Sequence, residues 1–172
     1  GELGRNYKGR TDSIMLVTVN PKKHKTTIMS LPRDQVTAVV GYESTFPQKL
    51  NAAYSYGSAG TTIKTVEKWL NVPIDYYALV NMNALEKIVD QLGGISVESP
   101  LTFSYDPDTA KETGDDYYTF TEGSTEFTHY SNGDATKSST MDGAAALAFS
   151  RMRYTDPDGD YGRQKRQRLV LQ

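Results

Sequence analysis

Cysteine is absent from this 172-residue chain, which excludes a disulfide framework and any thiolate metal site. Histidine occurs only at His24 and His129, without the spacing that metal ligands need, and no Ser/His/Asp set is assignable around either. No run approaches the roughly 18 consecutive apolar residues of a membrane span, and no basic, apolar, small-residue leader opens the sequence. The chain therefore reads as soluble. Its ends, 1–10 and 163–172, read as cuts, so an anchor could have been removed. A broad basic excess is also missing: the formal net charge is −2 and the pI about 5.7, which argues against nucleic acid as a partner. Gly57-Ser58-Ala59-Gly60 lacks the lysine and spacing of a phosphate-cradling loop and is read instead as the entry to a helix.

What is present is an ordinary globular composition, with 37% apolar and 23% charged residues, long enough for one domain over 1–172 with a sizeable core. The charge is polarised along the chain. Glu98 to Asp142 holds ten acidic residues against Lys111 and Lys137, whereas 151–172 has six basic against three acidic. That pattern favours a compact anion pocket over a diffuse basic face.

The periodicities alternate between the two kinds of element. Ile14 to Val19 is an apolar, strand-forming run expected to be buried on both faces, and the Pro21 turn folds it into a hairpin with Thr26 to Leu31. Ser58 or Thr61 starts a helix striped by Ile63, Val66, Trp69 and Leu70, which Asn71 and Pro73 stop. Ile74 to Val80 is expected as another strand. A helix with Asn83 as N-cap and Glu86 three residues later follows, striped by Leu85, Ile88, Val89 and Leu92 and ended by Gly93-Gly94. Ile95 to Val97 is a short strand. This grammar gives an α/β fold class: a three-layer α/β/α arrangement with a central mixed sheet flanked by helices. Residues near 102–140 break the rhythm, as a functional excursion or as small extra strands, and Tyr117 to Phe120 with Glu126 to Tyr130 form a hairpin there. Asp142 caps a short Ala-rich helix, Ala148 to Tyr154 is expected as a strand, and a final helix follows the Asp/Gly turn.

The chemistry concentrates at the C-terminal end. Arg151 and Arg153, two apart, share one face of the expected strand; Arg163, Arg166 and Gln167, at i, i+3 and i+4, share one face of a helix. Between them lie Asp156, Asp158 and Asp160, beside a helix N-terminus that welcomes anions. Guanidinium forks bind phosphate oxygens bidentately, and an aspartate beside phosphate needs a cation between them. A solvated Arg/Asp surface is the plainer reading, but like charges gathered on one face repel, so an anionic ligand explains them better. Arg10 and Asp12 precede the first strand and Arg33-Asp34 follow its hairpin partner, at strand ends where α/β sheets place ligands.

These segments resemble the catalytic domain of the LytR-CpsA-Psr family. The likeness is carried by Gly9-Arg10-Thr11-Asp12, Ser30-Leu31-Pro32-Arg33-Asp34, Lys49-Leu50-Asn51-Ala52-Ala53-Tyr54, Gly93-Gly94-Ile95, and the run from Arg151-Met152-Arg153-Tyr154 through Asp156-Pro157, Gly159-Asp160 and Gly162-Arg163 to Arg166-Gln167. The resemblance implies a membrane-anchored, outward-facing phosphotransferase of Gram-positive bacteria. It implies transfer of an anionic glycopolymer, teichoic acid or a capsular or secondary wall polysaccharide, from an undecaprenyl-pyrophosphate carrier to peptidoglycan. A polyprenyl-pyrophosphate binding module and a pyrophosphatase are the alternatives. It implies pyrophosphate binding by Arg10, Arg33, Arg151, Arg153, Arg163 and Gln167, Mg²⁺ held by Asp12 and Asp160, and catalytic roles for Asp12, Arg33 and Arg163. It further implies a polyprenyl pocket within the core and another functional aspartate upstream of Gly1.

Overall fold

The computed structural model describes Thr11 and residues 13–172, and its α/β mixture of helices and sheets falls into two units, Gly1–Leu79 and Val80–Gln172. In the first unit the hairpin forms as expected. Strand β1 (Ile14–Asn20) pairs antiparallel with β2 (Lys25–Leu31), from Ile14 opposite Leu31 to Asn20 opposite Lys25. The Asn20 side chain accepts from Lys23 N at 3.1 Å, and His24 takes the left-handed conformation (φ 46°) that closes the turn. The expected burial of β1 on both faces is not met: Val17 and Val19 are exposed, because β2 is the one strand paired with β1 among the described residues.

A two-residue ladder joins β3 (Val36–Thr37) to β4 (Gln48–Lys49) and brings the chain to helix α1 (Ala53–Leu70). This helix starts earlier than the composition suggests. Gly57 and Ser58 are a kink inside it, Ser58 having φ 58° and ψ −154°, so the expected start at Ser58 or Thr61 is its second segment. Leu31, Leu50 and Val66 are buried together, and Ile14, Trp69, Leu70 and Ile74 pack around them. Asn71, left-handed at φ 54°, ends the helix as expected. Ile74 to Val80 carries no ladder among the described residues.

In the second unit α2 (Met82–Gln91) is capped by Asn81, whose side chain accepts from Ala84 N at 2.8 Å; Asn83 lies inside the first turn, so the expected cap is shifted by two residues. Of the apolar stripe, Val89 is buried and Leu85 packs against the core, while Ile88 and Leu92 are exposed. Ile95 forms a single antiparallel bridge with Met141 rather than a strand. The 102–140 segment resolves as small strands: β5 (Phe103–Tyr105), β6 (Asp116–Phe120), β7 (Phe127–Ser131) and β8 (Asp134–Ser138) form an antiparallel sheet in that order, with the expected β6–β7 hairpin at its centre. The named strands pair antiparallel throughout, and one isolated bridge, Ser99 to Glu122, is parallel.

One face of this sheet builds the core. Phe103, Tyr118, Phe120 and Phe127 pack against Ala145, Ala146 and Phe149 of helix α3 (Gly143–Arg151). Phe120 and Phe149 meet edge-on at 5.2 Å, and each fully buried ring contributes about 1.5–3 kcal/mol. Asp142 caps α3 as expected, accepting from Ala145 N at 2.8 Å, and Asp90 of α2 accepts from Gly143 N at 2.7 Å. A Cβ at residue 143 would collide with the Glu86 backbone, so this glycine sets how closely the two helices approach. Helix α3 runs through Arg151, which corrects the expected strand over 148–154: alanine-rich sequence propagates helix. Helix α4 (Asp160–Val170) follows.

Candidate functional site

The α3–α4 connection is held from beneath by one buried ion. The Arg166 side chain is 1% exposed. Its Nε donates to Phe149 O at 3.0 Å, Nη2 donates to Met152 O, Nη1 pairs with the Asp156 carboxylate, and the guanidinium lies 5.1 Å from the Phe103 ring centre. Five donors in a fixed fork therefore satisfy carbonyls left open where α3 ends. Asp156 in turn accepts from Asp158 N at 2.8 Å through Oδ1, and a Cβ at Gly162 would collide with its carboxylate. The expectation that Arg166 shares an open face with Arg163 and Gln167 is corrected here, since its charge is consumed inside the protein.

Above this buttress, Asp160 is the first residue of α4, preceded by Gly159 at φ 55°. Its Oδ2 accepts from Gln164 Nε2 at 3.0 Å and its Oδ1 lies 2.5 Å from Arg163 Nη2. The Arg163 contact is an ion pair without hydrogen-bond alignment. The Arg163 side chain is only 15% exposed, and its Nε is buried with no hydrogen-bonding partner among the described residues; Gln167 Oε1 is in the same position. Buried polar atoms are almost always satisfied, so two unsatisfied ones a helical turn apart along one side of α4 point to a ligand there. The structure thus brings Asp160, Arg163 and Gln167 together.

Arg151 and Arg153 are both exposed, Arg151 as the last residue of α3 and Arg153 in the connection beyond it. They do not share a strand face, because no strand forms there. Arg33 lies in the first unit, where its backbone carbonyl accepts from Asn51 N at 2.9 Å and its Nε lies 3.9 Å from Asp34 Oδ2. Asp34 pairs with Lys49 at 2.8 Å. Asn51, buried with its Oδ1 unpartnered among the described residues, is a candidate ligand-facing group that sequence reasoning passed over, although its segment was noted. Arg10 and Asp12 lie outside the described residues.

The Mg²⁺ expectation can be tested against donor chemistry. Asp160 offers hard oxygens at a partly buried position, and Mg²⁺ is commonly held by one or two carboxylates with phosphate and water completing its shell. Among the described residues no group of three or more His, Cys, Asp or Glu side chains is arranged for a metal, so a cage made of protein alone is not what these residues offer. Asp160 fits a cation shared with an anionic ligand. No helix among the described residues is long and apolar enough to cross a membrane.

His129, read from the sequence as a lone surface residue, stands on β7 with Nε2 2.7 Å from Asp116 Oδ1, its ring stacked 4.2 Å from that of Tyr118. Ser131 Oγ donates to the other Asp116 oxygen at 3.0 Å. Burial, then the charges of Asp142, Asp116 and Glu86, push the Tyr118 phenol up to about 12.

Residues 2–172 match the model of the LytR_cpsA_psr family. A polyisoprenyl-teichoic acid–peptidoglycan teichoic acid transferase TagU from Enterococcus faecalis is 41% identical over 172 residues, which is 100% of this chain and 48% of that protein. The crystal structure of Bacillus subtilis TagU is 39% identical with a TM-score of 0.67, over 93% of this chain and 58% of that one. A LytR-CPS2A-psr family protein, TagT, solved with bound octaprenyl pyrophosphate lipid, is 29% identical with a TM-score of 0.65, over 95% and 57% of the two chains. The chain spans about half the length of the curated relatives it matches.

Proposed function

Because the chain belongs to the LytR-CpsA-Psr family, we propose that it carries the pyrophosphate-binding part of a phosphotransferase that moves an anionic glycopolymer from a polyprenyl-pyrophosphate carrier to peptidoglycan. The observation that supports this reading most is the largely enclosed Arg163, with a buried Nε lacking a partner among the described residues, one helical turn before Gln167 on α4. Two relatives lend it weight: one is named for teichoic acid transfer to peptidoglycan, and the other was solved with a prenyl pyrophosphate.

In the proposed reaction an acceptor hydroxyl of peptidoglycan attacks the polymer-proximal phosphorus. A new P–O bond forms to the acceptor, the bridging P–O bond breaks, and polyprenyl phosphate departs with the electron pair. The hydroxyl proton passes to a carboxylate, Asp12 or the aspartate that the family carries upstream. Such transfers depend mainly on positioning and on stabilising charge over the phosphoryl oxygens. Arg163 donates toward those oxygens, Gln167 orients them through its amide, and Arg151 and Arg153 supply further positive charge. Asp160 would hold Mg²⁺, which when bound supplies positive charge to the pyrophosphate. Arg163 and Gln164 keep the Asp160 carboxylate oriented. Substrates of this kind favour the outer face of the cell membrane as the place of the reaction.

Turnover of a prenyl-pyrophosphate-linked polymer, assayed with and without peptidoglycan, tests the reading. Polymer joined to peptidoglycan, lost in Arg163→Ala, is the expected outcome. Release of polymer phosphate with water as the acceptor, unchanged by peptidoglycan, would instead make the protein a pyrophosphatase.

A further inference from the structure

In the first unit, the open end of the β1–β2 hairpin gathers polar atoms that no element around them uses. Asn51 is 5% exposed, and its Oδ1 is buried with no hydrogen-bond partner among the described residues. The same holds for Ser13 Oγ and Thr11 Oγ1, on the approach to β1. The backbone sets these groups near one another. Ile14 faces Leu31 across the hairpin, so the approach to β1 runs beside Pro32 and Arg33. Arg33 O in turn accepts from Asn51 N at 2.9 Å, and Gln35 O accepts from Leu50 N at 2.8 Å. Leu31 and Leu50, buried together, hold the hairpin against the segment that carries Asn51.

Burying a polar atom without a partner costs stability, so three such oxygens in one place point to an occupant. Their chemistry narrows what it is. Asn51 Oδ1 only accepts and therefore needs a donor, whereas each hydroxyl can both give a hydrogen and receive one. Phosphate oxygens are acceptors and would oppose Oδ1. A prenyl chain would leave all three unmatched. A divalent cation is disfavoured as a direct ligand, since the three include no carboxylate and no metal-binding group of side chains occurs among the described residues. An alcohol meets the demand: its hydrogen goes to Oδ1, one lone pair takes the Ser13 or Thr11 hydroxyl, and the other lone pair stays open. A single water satisfies the same atoms, and the experiment below separates the two.

We propose that this pocket holds a hydroxyl of the acceptor glycan and that Asn51 orients it, a reading that rests on the phosphotransferase function proposed above. Among the groups that take part in that reaction, the acceptor's hydroxyl is the one that must present a hydrogen and an open lone pair together, and holding it in one orientation is how positioning speeds the attack. Asn51 is a neutral amide. It fixes the direction of the O–H bond and takes no proton, which passes to a carboxylate as in the transfer described above.

Two probes titrated calorimetrically into the full chain test it: a soluble peptidoglycan tetrasaccharide and octaprenyl pyrophosphate. Asn51→Leu and Ser13→Ala are expected to weaken the tetrasaccharide by about tenfold, equivalent to one lost hydrogen bond, and to leave octaprenyl pyrophosphate unchanged. In transfer assays both should divert polymer from peptidoglycan to water. Should Asn51→Leu fail to fold, Ser13→Ala, which removes one oxygen, carries the test alone. Arg163→Ala is expected to weaken the lipid and not the tetrasaccharide. Unchanged tetrasaccharide affinity in the pocket variants, even with a lowered thermal midpoint, would assign the pocket to a structural water and overturn the proposal. Weakened octaprenyl pyrophosphate with unchanged tetrasaccharide would make it part of the donor site and contradict the proposal too. Lipid binding by wild type without tetrasaccharide binding would remove the acceptor pocket and leave the pyrophosphate site standing, whereas failure to bind either probe would remove both.

Discussion

Arg166 is a cation that the protein spends on itself. Its donors close the end of α3 and anchor Asp156, so the turn bearing Asp160 and Arg163 is placed by an internal ion pair. Arg166→Ala leaves the Asp156 carboxylate buried and uncompensated, and a loss of about 3–5 kcal/mol in denaturant-derived stability is expected. A loss below about 1 kcal/mol would mean that the pair is not structural. Asp160 acts differently, because it is only partly buried and faces the ligand groups. Asp160→Ala should keep the thermal midpoint within a few degrees of wild type, yet raise the Mg²⁺ concentration needed for half-maximal transfer several-fold; unchanged Mg²⁺ dependence would remove it from the metal site. Tyr118 offers a pH readout. Its phenol, held at about 12 by burial and neighbouring carboxylates, is above the ordinary value near 10. Its contribution is therefore complete below about pH 10 and is lost as pH rises toward 12. Phenolate absorbance should show this tyrosine ionising last and together with unfolding, and Tyr118→Phe should flatten the alkaline loss of stability.

Among the elements, α1 carries a local conflict. Ser58 sits at φ 58° and ψ −154°, a region that glycine occupies freely and other residues enter at about 1–3 kcal/mol. Ser58→Gly should raise the thermal midpoint by a few degrees in a calorimetric scan, even after the added flexibility of the unfolded chain; a fall would mean that the serine hydroxyl is needed at the kink. This conflict also explains why the start of α1 was read from the sequence at the kink rather than at Ala53, since glycine and serine are the usual markers of a helix entry. Elements whose signals are local were legible: the β1–β2 hairpin through Asn20 and Pro21, the stop at Asn71, the cap at Asp142, and the β6–β7 pairing. Those that depend on distant partners were not. Ile14 to Val19 has the composition of a buried strand, but burial is decided by what pairs and packs on it, which one run of residues does not encode. Ala148 to Tyr154 was read as a strand because the arginines alternate, whereas the alanines before them favour helix through Arg151.

For the molecule as a whole, the candidate site was legible as an inventory more than as an arrangement. Asp160, Arg163 and Gln167 were named from spacing and resemblance and do lie together on α4, because i, i+3 and i+4 geometry is intrinsic to a helix. Arg166 obeys the same spacing and was grouped with them wrongly, since periodicity cannot say which of two neighbouring rows faces the core. The pocket of Thr11, Ser13 and Asn51 was missed because its parts are far apart in sequence and ordinary in type. The central claim is that Arg163, largely enclosed and with its Nε unsatisfied among the described residues, is there for a pyrophosphate. Calorimetric titration of octaprenyl pyrophosphate into wild type and Arg163→Ala, in the presence of Mg²⁺, measures this directly. A loss of at least about tenfold in affinity with an unchanged thermal midpoint is the expected result, given the ~1.5–3 kcal/mol of a hydrogen bond to a charged group. Equal affinity of the two proteins for the lipid would contradict it.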